Sequence, residues 1–253
     1  MNNLFGTLYK VLFLGYLRKV YFNAKIRSSH KRFSNKIDFS YRTYTDASVN
    51  PLTLLSEKFG SDKGSTQLQN PYPWKPHSYT LFYHHIFSHT RGNVKNVFEC
   101  GIGSSDETIK SNMSATGATG ASLKMWREYF PNARIFGADI DSKALFQDSR
   151  ISTAQMDQTC KSSIEEYWKK LGDISFDLMI DDGLHSFSAG STLFENSIHK
   201  LSQDGIYFIE DVNSFDLLKY QEYFSSQKYN VEYITLYHGV DEVSDDCIIK
   251  ICN

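Results

Sequence analysis

From residue 94 to residue 212 short apolar runs alternate with helical stretches, and this alternation constrains the fold more than any other feature of the chain. Residues 94–100 (VKNVFEC) are an apolar run ending in Gly101-Ile102-Gly103, as expected of a buried first strand that enters a tight turn. After a stretch rich in Ser, Thr and Gly, residues 122–130 (SLKMWREYF) have helical spacing and stop at Pro131; residues 133–140 (ARIFGADI) then read as a second strand. A third strand should end near Gln155-Met156-Asp157-Gln158. Residues 164–172 read as a helix closed by Gly172, 176–182 as a buried strand, 191–201 as a helix ended by the Asp204-Gly205 turn, and 206–212 as a further strand. Residues 231–237 and 247–252 flank an acidic turn and suggest a terminal hairpin. The pattern predicts a doubly wound α/β domain over residues 51–253. Its sheet should be seven-stranded and mostly parallel, covered by helices on both faces, with a C-terminal antiparallel hairpin. Ligands of such sheets bind beyond the carboxyl ends of the strands, so the polar residues there are the candidates for function. Residues 60–78 are expected to form a loop lying over the sheet.

The 253 residues suit one large domain, or one domain with an N-terminal extension, and 41% hydrophobic residues suffice for a sizeable core. The net charge of -2 hides an asymmetry: Lys10, Arg18, Lys19, Lys25, Arg27, Lys31, Arg32 and Lys36 all precede the first acid, Asp38. The remainder is therefore acidic, which argues against nucleic acid as its partner. Residues 4–23 are too often interrupted by Lys10, Arg18 and Lys19 for a spanning helix of roughly 20 apolar residues. Leu4, Leu8, Val11, Leu12 and Leu17 recur at helical spacing, so residues 1–50 are expected to be a basic amphipathic extension. Its helix either packs on the body or a sister subunit, or lies on an anionic membrane through residues 1–36. Cys100, Cys160, Cys247 and Cys252 show no metal-ligand spacing, and Cys100 and Cys252 read as core residues of a cytoplasmic protein. A homo-oligomer is expected.

The first strand ends Glu99-Cys100-Gly101-Ile102-Gly103, and a dinucleotide fingerprint would require a third glycine at position 106. That position is Asp106, whose carboxylate repels a pyrophosphate. S-adenosylmethionine carries no pyrophosphate, and its methionine and sulfonium need the close backbone approach that Gly101 and Gly103 permit. Asp139, at the end of the second strand, suits the two ribose hydroxyls; Asp141 either shares this task or caps the next helix. Asp157 is positioned to meet the adenine amino group. In their order along the chain, these acids and Glu99 fit one nucleoside.

A second constellation, Asp181-Asp182-Gly183-Leu184-His185, is matched one β-α unit later by Glu210-Asp211. Consecutive parallel strands are usually neighbours, so these acids should converge. Clustered carboxylates raise one another's pKa, and a hard cation such as Mg2+ relieves the repulsion. Asp182, Glu210 and Asp211 are the expected metal ligands, with Asp181 on the donor side. His185 either serves as a general base, with Asp182 as its catalytic partner, or opens the next helix by bonding to backbone. Caps account for one acid per strand end, not for four.

Six ordered segments carry a resemblance: residues 59–65 (FGSDKGS), 99–103 (ECGIG), 120–133 (GASLKMWREYFPNA), 137–141 (GADID), 180–185 (IDDGLH) and 205–212 (GIYFIEDV). Across roughly residues 52–215 the chain resembles the macrocin and mycinamicin O-methyltransferases, which methylate sugar hydroxyls of macrolide antibiotics. The resemblance implies a class I methyltransferase fold, S-adenosylmethionine as donor, a magnesium ion on Asp182, Glu210 and Asp211, and His185 as base. It also implies that Ser122 helps hold the donor. Residues 104–119 are longer and more polar than the family leads one to expect, and residues 1–50 match nothing in it. The expected activity is metal-assisted O-methylation of a saccharide or glycosylated small molecule, with a surface-polysaccharide precursor as the narrower choice. A nucleotide-dependent oxidoreductase and a non-catalytic S-adenosylmethionine-binding partner protein are the alternatives.

Overall fold

The computed structural model describes residues 39–44, 49–64, 72, 74, 77–237 and 247–253. The amphipathic pattern of residues 4–23 and the basic cluster up to Lys36 lie outside the described residues. In chain order the elements are β1 (Phe39–Tyr44), α1 (Pro51–Phe59), α2 (Tyr79–Phe87), β2 (Asn96–Cys100), α3 (Ala121–Tyr129), β3 (Arg134–Asp139), β4 (Gln147–Asp148) and β5 (Ile151–Gln155). They continue with α4 (Lys161–Leu171), β6 (Phe176–Asp181), α5 (Phe187–Ser197), β7 (Leu201–Ile209), α6 (Ser214–Phe224), β8 (Asn230–Tyr237) and β9 (Cys247–Cys252).

The nine strands lie in one sheet in the order β1-β8-β9-β7-β6-β2-β3-β5-β4. The seven strands expected from the sequence are β2, β3, β5, β6, β7, β8 and β9, and one further strand extends the sheet at each edge. At one edge the two-residue β4 turns back antiparallel on β5; at the other β1 pairs parallel with β8. β1 falls inside the stretch 1–50 assigned to a helical extension, so residues 39–44 of that stretch belong to the sheet. The expected hairpin forms, with β8 and β9 antiparallel.

Local chemistry sets the elements that flank the site. The Asn50 side chain caps α1 by accepting from the Leu52 and Thr53 amides at 2.8 and 2.9 Å, with Pro51 in the first turn, and Gly60 closes the helix in the left-handed region. One face of the sheet packs on α1, α2 and α3 through Leu52, Tyr83, Trp126, Leu178 and Phe208. On the other, Phe98 meets Trp168 at 4.7 Å and Phe194 meets Tyr207 at 5.3 Å between ring centroids, which gives the 15% aromatic content a structural role. Of the β9 cysteines, Cys247 is buried, whereas Cys252, expected in the core, is half-buried because the end of β9 turns it outward.

The central strand β2 pairs with β3 on one side and β6 on the other, so the chain reverses direction across the sheet at β2. Register holds past the strand ends. Gly101 N donates to Ala138 O, Asp182 N to Cys100 O and Glu210 N to Asp181 O, all within 2.8–2.9 Å. These backbone bonds bring the segments after β2, β3, β6 and β7 to one edge of the sheet.

Candidate active site

The glycine turn after β2 forms one wall of a cleft of about 740 Å3. Gly101 and Gly103 have φ of 85° and 88°, conformations that L side chains avoid. A Cβ on Gly101 would lie 2.0 Å from the Asp182 carbonyl oxygen, and one on Gly103 would lie 1.7 Å from the Met113 sulfur. No helix starts directly after this turn: residues 104–119 are turns, and α3 begins only at Ala121. A pyrophosphate would thus find no helix N-terminus there, and Asp106 instead bonds Thr108 and faces Lys143 at 3.3 Å.

The acids assigned to the donor divide into two groups. Asp139 and Asp157 line the cleft, as do Ser122 and the half-exposed side chain of Ile140. Asp139 accepts from the Ile102 and Asp141 amides, each at 2.9 Å, so it also braces the glycine turn. Burial pushes its carboxyl pKa up against these hydrogen bonds. Asp157 accepts from the Thr159 amide and hydroxyl at the rim. Glu99, Asp141 and Asp181 do not line the cleft. Asp141 caps the following 3-10 turn and accepts from the Ser104 hydroxyl at 2.6 Å. Asp181 accepts from Gln158 and from the Gly183 amide beneath the floor. Glu99 is fully buried behind the turn, where it accepts from Trp126 Nε1 at 2.9 Å and from Ser122.

At the tips of β6 and β7, Asp182, His185 and Asp211 present ligand atoms within 4.8 Å of one another. His185 Nε2 lies 3.3 Å from Asp182 Oδ1, and His185 Nδ1 lies 3.6 Å from Asp211 Oδ2. Both His185 (φ 51°) and Asp211 (φ 52°) occupy the left-handed region, a strain that persists only where the surroundings impose it. Burial lowers the His185 pKa, but Asp211 and Asp182 outweigh it and raise the ring to about 9. Burial likewise opposes ionisation of Asp182, yet Lys63 and His185 bring its carboxyl down to about 2.

Glu210 does not join this group. Its carboxylate turns to Lys63 Nζ and accepts from Tyr83 OH, and burial pushes it up to about 8. Lys63 is itself 2% exposed and stands 2.5 Å from Asp182 Oδ2 and 3.4 Å from Glu99 Oε1. A built-in ammonium thus takes the inner half of the acidic cluster. Asp211 is held in turn by Tyr79 OH, with His77 Nδ1 at 3.5 Å. Lys63, His77, Tyr79 and Tyr83 are not among the site residues expected from the sequence. The sequence offered one signal for them, the FGSDKGS segment that contains Lys63.

No family model matches the chain. Sequence comparison finds an 8-demethyl-8-alpha-L-rhamnosyl tetracenomycin-C 2'-O-methyltransferase of Streptomyces olivaceus, 31% identical over 163 residues, which are 64% of this chain and 38% of that protein. It also finds a mycinamicin VI 2''-O-methyltransferase of Micromonospora griseorubida, 31% identical over 136 residues, 54% of this chain and 32% of the relative. The chain is thus similar in sequence to sugar O-methyltransferases, the mycinamicin enzyme among them. It spans well under half the length of these curated relatives. Among solved structures, a methyltransferase from the mycinamycin biosynthetic pathway in complex with Mg, SAH and mycinamycin VI superposes with a TM-score of 0.56 at 22% identity, covering 81% of this chain and 55% of that one. The fold is that of the class I methyltransferases.

Proposed function

We propose that the chain is an S-adenosylmethionine-dependent O-methyltransferase acting on a hydroxyl of a saccharide or glycosylated small molecule. The observation that carries this reading is that Asp182, His185 and Asp211 open into the same cleft that Gly101 and Gly103 floor. Its volume lies within the range of sites that enclose a whole small ligand. The named activities of the relatives, transfer to sugar hydroxyls of glycosylated natural products, support the acceptor class. A surface-polysaccharide precursor is the narrower reading and rests on the basic N-terminal sequence alone.

The donor, bound along Gly101, Gly103, Ser122, Asp139 and Asp157, supplies an electrophilic methyl group. The carboxylates of Asp182 and Asp211, with ligand atoms within 4.8 Å of each other, offer the oxygens that Mg2+ prefers. Held by Asp182 and Asp211, such an ion supplies charge stabilisation for an ionising hydroxyl. His185 would take the hydroxyl proton on Nε2 once Asp182 serves the cation, while Nδ1 stays toward Asp211, which orients the ring. A cation held by those two acids would weaken their pull on the ring and so favour its basic form. Lys63 and Tyr79 fix the two carboxylates from behind. The cleft walls position donor and acceptor, which for methyl transfer is a large part of the barrier reduction.

The test is transfer of labelled methyl to a panel of glycosides and sugar nucleotides, with and without Mg2+ and a chelator. His185→Ala should abolish transfer and leave the affinity for S-adenosylhomocysteine within about threefold, whereas Asp139→Ala should weaken that affinity at least tenfold. Full turnover by His185→Ala would overturn the base assignment. Binding of NAD(H) in place of S-adenosylhomocysteine would overturn the reading as a whole.

A further inference from the structure

Gln158 follows β5 and is 7% exposed. Its two polar atoms are spent on a single turn, the one that leaves β6. Nε2 donates to Asp181 Oδ1 at 3.0 Å, and Oε1 accepts from the Leu184 amide at 2.7 Å. The Gly183 amide, between them, donates to the same Asp181 Oδ1 at 3.3 Å. Gly183 leaves room for this arrangement, since a Cβ there would fall 1.7 Å from Gln158 Oε1. A buried amide and a buried carboxylate therefore clamp residues 181–184 from both ends.

What the clamp holds is the stretch that presents Asp182 and His185. His185 follows Leu184 directly and sits at a φ of 51°, which a non-glycine residue keeps only when its neighbours over-determine it. Directly before it along the backbone, the Leu184 amide is held by Gln158, and the His185 ring faces Asp182 and Asp211. Gln158 also lines the cleft between Asp157 and Thr159. The side chain thus links the donor edge of the cleft to the loop that carries the reacting groups.

We infer that Gln158 is a positioning residue: through Asp181 and Leu184 it fixes the backbone of residues 182–185 so that Asp182 and His185 face Asp211. The inference rests on the proposed cation and base roles of those residues for its consequence, but not for the clamp itself. Preorganised loops of this kind hold reacting groups to within fractions of an ångström, and small displacements are costly.

The experiment uses the full chain and needs no identified acceptor. Native-state hydrogen exchange of the Leu184 amide is compared in the wild type, Gln158→Ala and the volume-keeping Gln158→Met, with the β6 amides of Met179 and Ile180 as internal reference. Exchange at Leu184 should accelerate at least tenfold in both variants while the reference amides stay within threefold. Mn2+ affinity, read by electron paramagnetic resonance, should fall at least fivefold in the same variants. Gln158→Glu, which sets two carboxylates against each other, should show the same losses. The reciprocal exchange Gln158→Glu with Asp181→Asn restores a donor facing an acceptor, and should recover Mn2+ affinity to within threefold of wild type. Unchanged Leu184 exchange would overturn the clamp, as would a double variant no better than Gln158→Glu. Loss of the folded state in both Gln158→Ala and Gln158→Met would also overturn it, because Gln158 would then be a folding residue. If the wild type binds no Mn2+, the cation reading fails, and the exchange measurement still decides the clamp.

Discussion

Lys63→Met keeps most of the aliphatic stem and deletes the one ammonium shared by Asp182, Glu99 and Glu210. Removing one partner of a buried ion pair typically costs about 3–5 kcal/mol, because the remaining charge has neither water nor a counter-ion. Here the acids differ in how much they contribute. Asp182 is half-buried and can recruit water, whereas Glu99 and Glu210 are 0% and 1% exposed. Each keeps a neutral donor, Trp126 for Glu99 and Tyr83 for Glu210. Burial has already raised their pKa values to about 7 and about 8, so taking up a proton near neutrality relieves part of the loss. The expected destabilisation is therefore at the lower end, about 3 kcal/mol at pH 7.5, and larger at pH 8.5. For a domain of this size it corresponds to a fall in Tm of roughly 6–12 °C. Urea unfolding at the two pH values measures it, and a cycle with Glu210→Gln should return at least about 1 kcal/mol of coupling. A loss below about 1 kcal/mol, or strict additivity, would refute the placement of Lys63 among the acids.

Gly101→Ala adds about 1–2 kcal/mol of backbone strain and drives a methyl group against the Asp182 carbonyl, parting the tips of β2 and β6. Calorimetry with S-adenosylhomocysteine should show at least a tenfold loss of affinity, and equal affinity would contradict the packing. Glu99, raised to about 7 mainly by burial, stabilises the fold fully below its unfolded value near 4.5; that contribution is lost as pH rises through 7. Glu99→Gln removes this dependence, so its stability relative to wild type should improve by up to about 3 kcal/mol between pH 4.5 and 8, whatever fixed cost the amide brings. A relative stability that stays flat across that range would show that Glu99 is not held in this environment.

The fold was legible because its signals are local. The run into Gly101-Ile102-Gly103, the helix stopped at Pro131 and the Asp181-Asp182 strand end each state their structure within a few residues. The meeting of Asp182, His185 and Asp211 followed from one topological rule, that consecutive parallel strands neighbour each other. What the sequence hid depends on long-range partners. Lys63 reaches Asp182 across 119 positions and Glu210 across 147, and no spacing within 60–64 reports that. For the same reason Glu210 read as a ligand, since its neighbours Lys63 and Tyr83 come from a loop and a helix far upstream. Tyr79 and Tyr83 looked like ordinary aromatics, although their separation by four residues sets both hydroxyls on one face of α2 toward Asp211 and Glu210. Asp141 and Asp139 illustrate the converse: two acids of equal appearance, of which the end of β3 gives one to the cleft and the other to a cap.

A crystal of the protein grown with Mn2+ and S-adenosylhomocysteine, with anomalous data collected for manganese, bears most directly on the account. It predicts an ion in coordination range of Asp182 and Asp211, adjacent to a nucleoside whose amino-acid portion lies over Gly101 and Gly103. An ion bound elsewhere with Asp182 and Asp211 unliganded, or a nucleoside outside this cleft, would contradict it.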